Sequence, residues 1–105
     1  MAQQVRQYLM MHLKQADTIQ GAASALLLST RTLTRRLKEE GTSYQLVKDA
    51  LRRDIAVQQL IHTDLSITHI ALELGFDSTA VFHRAFRSWT GSTPGAYRRP
   101  GAAPV

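Results

Sequence analysis

Hydrophobic residues along this chain recur at helical rather than strand spacing. Val5, Leu9, His12 and Leu13 fall on one stripe with Tyr8 and Met11 beside it. Leu33 with Leu37, and then Tyr44, Val47, Leu51, Ile55 and Leu60, continue the rhythm. No run of Val, Ile or Thr alternates cleanly with polar residues, and two of the three prolines lie in the C-terminal tail, so an all-α chain is expected. Polar residues punctuate it. A first helix is expected from about Val5 to Gln15, and Asp17 or Thr18 caps a second over Ile19 to Leu26. Ser29 caps a third that Gly41 closes, and Ser43 caps a long helix to about His62. Ser66 caps a short helix through Leu74, and Ser78 caps one to about Thr90 that Gly91 ends. Thr93 and Pro94 open a last turn through Tyr97, since Pro suits the first helical position.

The stretch from Ser29 to Lys38 is the centre of this pattern. Leu33 and Leu37 anchor one face, while Arg31, Thr34, Arg35 and Lys38 lie at i, i+3, i+4 and i+7 on another. Such a face suits the DNA major groove, because Arg bonds guanine O6 and N7 as a bidentate fork. Taken alone it is also what any solvated helix shows. The chain, however, contains the arrangement twice. At an offset of 48, Thr18/Ser66, Ile19/Ile67, Ala22/Ile70, Ala23/Ala71, Leu26/Leu74 and Leu28/Phe76 correspond. After one extra residue at Asp77 the offset becomes 49, pairing Ser29/Ser78, Leu33/Phe82, Arg35/Arg84, Leu37/Phe86 and Lys38/Arg87. Ala23 and Ala71 are small where two helices of a helix-turn-helix cross closely. Ala80, His83, Arg84 and Arg87 repeat the outer stripe.

Composition narrows the partner. The chain has 105 residues, 44% of them hydrophobic, and no segment near the ~20 apolar residues of a membrane span, so one soluble domain with a modest core is expected. No secretory signal opens it, which suits the cytoplasm, and the absence of Cys excludes disulfides and thiolate metal sites. Thirteen Lys and Arg against eight Asp and Glu give +5, favouring an anionic partner such as nucleic acid. His12, His62, His69 and His83 include no i, i+4 pair, so no metal is expected, and no cofactor. No nucleophile-base constellation, carboxylate pair or phosphate-cradling glycine loop is present, so an enzyme is not expected. Phe76, Phe82, Phe86, Trp89 and Tyr97 have the spacing of core residues, and Arg52 is expected to pair internally, with Asp49, Asp54 or the second unit's carboxylates.

Residues 28 to 44 (Leu-Ser-Thr-Arg-Thr-Leu-Thr-Arg-Arg-Leu-Lys-Glu-Glu-Gly-Thr-Ser-Tyr), Arg52 with Ala56 and Leu60, residues 66 to 76, and the run from Phe82 to Arg98 resemble the AraC/XylS transcription regulators. The resemblance covers residues 18 to 98. It implies seven helices forming two helix-turn-helix subdomains joined by a long linker helix, without a cofactor. The corresponding division is 1–42 and 63–99 for the subdomains, 43–62 for the linker and 100–105 for a disordered tail. The function implied is transcription regulation, as an activator for instance, through double-stranded promoter DNA. RNA polymerase is an expected further partner, and the sensor and dimerisation domain usual in the family is expected to be missing, so the chain resembles a DNA-binding fragment or a stand-alone regulator of the smaller kind that the family also includes. By position, the family's base-reading sites fall on Arg31, Thr34 and Arg35 in the first unit and on Thr79, Ala80, His83 and Arg84 in the second. Phosphate contacts are expected from Ser29, Lys38, Ser78 and Arg87. Two departures stand out: Leu27 occupies the turn position where the second unit has the usual Gly75, and Ala80 offers no hydrogen bond. The reading from another class is a basic helical interaction module that grips an acidic protein such as a polymerase subunit. Both outer stripes lack the exposed aromatics and Leu expected of such a face.

Overall fold

Hydroxyl side chains begin every helix but the first at the positions their spacing indicated. In the computed structural model residues 1–13 and 18–98 are described, and they form seven α-helices and no strand. These are α1 (Ala2–His12), α2 (Ile19–Ala25), α3 (Thr30–Glu39), α4 (Tyr44–His62), α5 (Ile67–Glu73), α6 (Thr79–Thr90) and α7 (Pro94–Arg98). Thr18, Ser29, Ser66 and Ser78 each accept from the backbone N–H three residues on, as do Ser43 from Leu46 and Thr93 from Ala96. Each bond satisfies one of the orphan donors that a helix start leaves, which is worth about 1 kcal/mol. The end expected for the first helix at Gln15, the alternative cap Asp17 and the tail at 100–105 lie outside the described residues.

The first helix starts earlier than its periodicity suggested. Ala2 N–H donates to Glu40 Oε1 at 3.0 Å, and the Met1 ammonium lies 2.7 Å from Glu40 Oε2. A carboxylate beyond the end of α3 thus complements the positive end of α1. No local sequence signal carries that contact.

The chain divides into two compact units, the first ending at Leu51 and the second beginning at Arg52, so the division falls within α4. In the first, α2 packs against both α1 and α3. Val5, Leu9, Ala22, Ala23, Leu33, Leu37 and Leu51 are buried there. In the second, α6 packs against α5 and α7 around Ala56, Leu60, Ile70, Ala71, Leu74, Phe82 and Phe86. Its core is aromatic. Phe82 and Phe86 rings are 5.7 Å apart, Phe76 is 5.9 Å from Trp89, and Tyr97 meets Phe86 edge-on at 5.0 Å. Offset and edge-to-face pairs of this kind add about 0.5–1.5 kcal/mol each beyond the area they bury.

The internal role expected of Arg52 is present, with carbonyls and a ring among its partners. Its Nε donates to the Leu74 carbonyl at 3.1 Å, Nη2 reaches the Gly75 carbonyl at 3.5 Å, and the guanidinium carbon sits 4.2 Å from the Phe76 ring centroid. Arg52 therefore closes the C-terminal end of α5, where unpaired carbonyls and the helix dipole favour a cation. Arg98 does the same for α4. It donates to the carbonyls of Gln59, Leu60, Thr63 and Leu65. Arg53 makes an exposed pair with Asp54 at 3.4 Å.

Candidate nucleic-acid interface

Each helix-turn-helix is closed by the same backbone device. At the end of α2, Leu27 N–H bonds the Ser24 carbonyl at 3.0 Å and Leu28 N–H bonds the Ala23 carbonyl at 2.8 Å. At the end of α5, Gly75 N–H bonds Leu72 and Phe76 N–H bonds Ala71, both at 3.0 Å. This pair of bonds requires a left-handed residue, and Leu27 has φ 59° where Gly75 has φ 86°. The departure at Leu27 therefore places a side chain with a Cβ in the left-handed region, which is strained. Ala23 and Ala71, the small residues expected at the helix crossings, are both buried.

With Leu33 and Leu37 buried, the opposite face of α3 is turned to solvent. Arg31, Thr34, Arg35 and Lys38 are all exposed, and an open depression of about 340 Å³ lies between Arg31, Thr32 and Arg35. Among the described residues, Arg31, Arg35 and Lys38 have no carboxylate partner. Ser29, exposed at the start of α3, accepts from Thr32 N–H at 3.1 Å and donates to Thr32 Oγ1 at 3.0 Å. The same argument holds for α6, where Phe82 and Phe86 are buried and Ala80, Arg84 and Arg87 are exposed. Arg84 and Arg87 likewise lack a carboxylate partner among the described residues. Thr79 and His83 are half-buried at the margin of the stripe. Thr79 hydrogen-bonds Thr68 of α5 at 3.1 Å, and the His83 ring stands edge-on to Phe82 at 6.3 Å. Ser78 caps the helix from an exposed position.

The first unit thus gathers its sequence-predicted residues on one exposed helix face, and the second does so for Ala80, Arg84 and Arg87, with Thr79 and His83 half-buried. The sequence reading missed Thr68, because its link to Thr79 exists only once α5 and α6 are packed. It also missed Arg98, whose carbonyl partners lie 33 to 39 residues earlier in the chain. Two other histidines have structural settings. His12 stacks on Tyr8 at 4.3 Å and bonds the Tyr8 carbonyl, and His69 lies 3.9 Å from Glu73. Among the described residues no group of three His, Cys, Asp or Glu is placed to hold a metal ion.

A family model described as a helix-turn-helix domain matches residues 22–100. The chain belongs to the AraC-type helix-turn-helix family. Membership makes it a DNA-binding domain of transcription regulation, in a family of regulators rather than enzymes. It is 46% identical over 80 residues to the ornithine utilization regulator of Pseudomonas aeruginosa, covering 76% of this chain and 24% of that protein. Its fold is similar to a DNA-binding transcriptional dual regulator from Escherichia coli K-12, at a TM-score of 0.88 and 30% identity, over 92% of this chain and 87% of that one. It is also similar to the DNA-binding domain of AdpA, a global transcriptional factor solved in complex with a target DNA. There the TM-score is 0.80 and the identity 28%, over 92% of this chain and 88% of the other. The chain spans about a quarter to a third of the length of the curated relatives it matches.

Proposed function

We propose that α3 and α6 are recognition helices that enter the major groove of double-stranded promoter DNA. Arg31, Thr34 and Arg35 read base edges in one half-site, and Thr79, Ala80, His83 and Arg84 read them in another. Ser29, Lys38, Ser78 and Arg87 hold the flanking phosphates. The observation that carries this reading is the row of cations on α3 and α6 without carboxylate partners among the described residues. Surface ion pairs are worth only ~0–1 kcal/mol, so leaving these side chains unpaired costs the fold little. It leaves Arg free for the bidentate fork to guanine, and lets Lys displace counterions from phosphate. The DNA complex of the similar AdpA domain supports the same reading. In a whole regulator, RNA polymerase is a partner, and sensing and dimerisation fall to a separate region. The work is cytoplasmic. No described helix is long and apolar enough to cross a membrane.

Arg35 is the sharpest test, because it is exposed and has no partner among the described residues. Arg35→Ala should cost ~1–3 kcal/mol on a preferred site and relax selection at one or two base pairs, while the melting temperature holds. A large fall in melting temperature would make Arg35 a structural residue. Gel shifts on random-sequence duplex separate the rival class: strongly salt-dependent binding supports the groove reading, and no binding at moderate salt supports a protein-binding face.

A further inference from the structure

The second unit's stripe is poor in hydrogen-bonding groups at its start, and Thr79 makes it poorer still. Thr79 is the first residue of α6, where no earlier carbonyl of the same helix is available to its hydroxyl. The hydroxyl instead donates to Thr68 Oγ1, 3.1 Å away on α5. Threonine carries a hydroxyl and a methyl about 120° apart on Cβ, in staggered positions. Once the hydroxyl is turned to α5, the methyl is confined to one of the two remaining directions. The next residue, Ala80, is exposed and also ends in a methyl. In the first unit the equivalent residues, Thr30 and Gln20, make no such bond, and Arg31 stands in the place of Ala80.

Resting on the reading of α6 as a recognition helix, we infer that the second unit selects thymine through its 5-methyl group. Thr79 and Ala80 supply the apolar contact, and Thr68 is the positioning residue that holds the Thr79 side chain in the rotamer that presents its methyl. Among major-groove features, the thymine methyl alone is apolar, so two adjacent methyl groups discriminate for thymine where they could not discriminate among hydrogen-bond patterns. Thr68 touches no base in this scheme. It acts only through Thr79.

The test uses the whole chain and the tightest duplex selected from a random pool, with each thymine of the second half-site replaced in turn by deoxyuridine, which removes only the methyl. Binding should weaken about fourfold at one or two positions, the value of one buried methyl-sized group. Thr79→Ser keeps the hydroxyl and removes the methyl, so uracil sensitivity at one of those positions should vanish. Thr68→Val frees the Thr79 rotamer and should reduce the same sensitivity, whereas Thr68→Ser should restore it; a purely structural role for Thr68 would not move the response at a single base. If Thr68→Val does not fold, Thr79→Ser decides the matter. A second half-site without thymine, uracil substitution that is neutral throughout it, or an uracil pattern unchanged by both variants would overturn the inference. Inversion of each base pair separates the two levels. If inversions matter but uracil does not, methyl recognition alone fails, and if inversions are neutral as well, α6 does not read bases.

Discussion

In the first unit the turn between the paired helices is closed by Leu27 at φ 59°, a residue 92% exposed; in the second the same position is Gly75 at φ 86°. The hydrogen bonds around the two turns are the same, so the backbone pattern defines the motif and the residue at the left-handed position sets only the strain. That strain is about 1–2 kcal/mol for a side chain with a Cβ. The units differ in the same sense elsewhere. The first has an aliphatic core at Leu33 and Leu37 and an outer stripe of Arg and Thr. The second replaces the leucines by Phe82 and Phe86, adds Arg52 across the end of α5, and has Ala80 and His83 on the stripe where the first has Arg31 and Thr34. Arg52 and Arg98 tie down helix ends in the second unit, and the first presents more hydrogen-bonding side chains on its exposed stripe. Under the proposed function, holding the motif and reading with it are separate tasks, met by different faces of the same helices.

The largest effect is expected at the brace. Arg52→Met keeps the aliphatic stem but leaves the carbonyls of Leu74 and Gly75 short of a donor and Phe76 without its cation. Chemical denaturation should show a loss of about 2 kcal/mol. A loss below about 0.5 kcal/mol would mean that the second unit is no better braced than the first.

The turns come next. Leu27→Gly should stabilise the protein by ~0.5–1 kcal/mol, which is what remains of the strain relief after the greater freedom of Gly in the unfolded chain is subtracted. Gly75→Ala should destabilise it by about 1 kcal/mol. Equal and opposite responses would show that the two turns are interchangeable. A destabilised Leu27→Gly would show that the exposed leucine makes a contact outweighing its strain.

Smaller again is the change at the phosphate positions. Lys38→Ala and Arg87→Ala should each flatten the slope of log affinity against log salt by about one unit, and weaken all duplexes alike. If only Lys38→Ala has this effect, the second unit does not share the backbone contact. The smallest effect is a pH response confined to the first unit. The Met1 ammonium and the Ala2 N–H hold the Glu40 carboxyl below its ordinary value. A depressed folded-state value stabilises above the carboxylate's unfolded pKa and loses that contribution as the pH falls through the folded one. Glu40→Gln should therefore remove a slight acid-side loss of stability, measured as melting temperature between pH 5 and 2. Identical acid limbs for parent and variant would show that the contact adds nothing.

The seven helices, their hydroxyl caps, the duplicated turn and the two exposed stripes were legible in the sequence, because each depends on residues within a few positions of one another. Capping is set by a hydroxyl three residues before its donor, a buried stripe by helical spacing, and the turn at Leu27 by its alignment with Gly75. Only the tertiary structure decided what joins residues far apart in the chain. Glu40 meets the start of α1, Arg98 closes the end of α4, Arg52 closes α5 and stacks on Phe76, and Thr68 turns the hydroxyl of Thr79. Periodicity tells which face of a helix is buried, but not which polar group will reach the carbonyls at another helix's end. That choice is made when packing brings an unsatisfied group within about 3 Å of a donor.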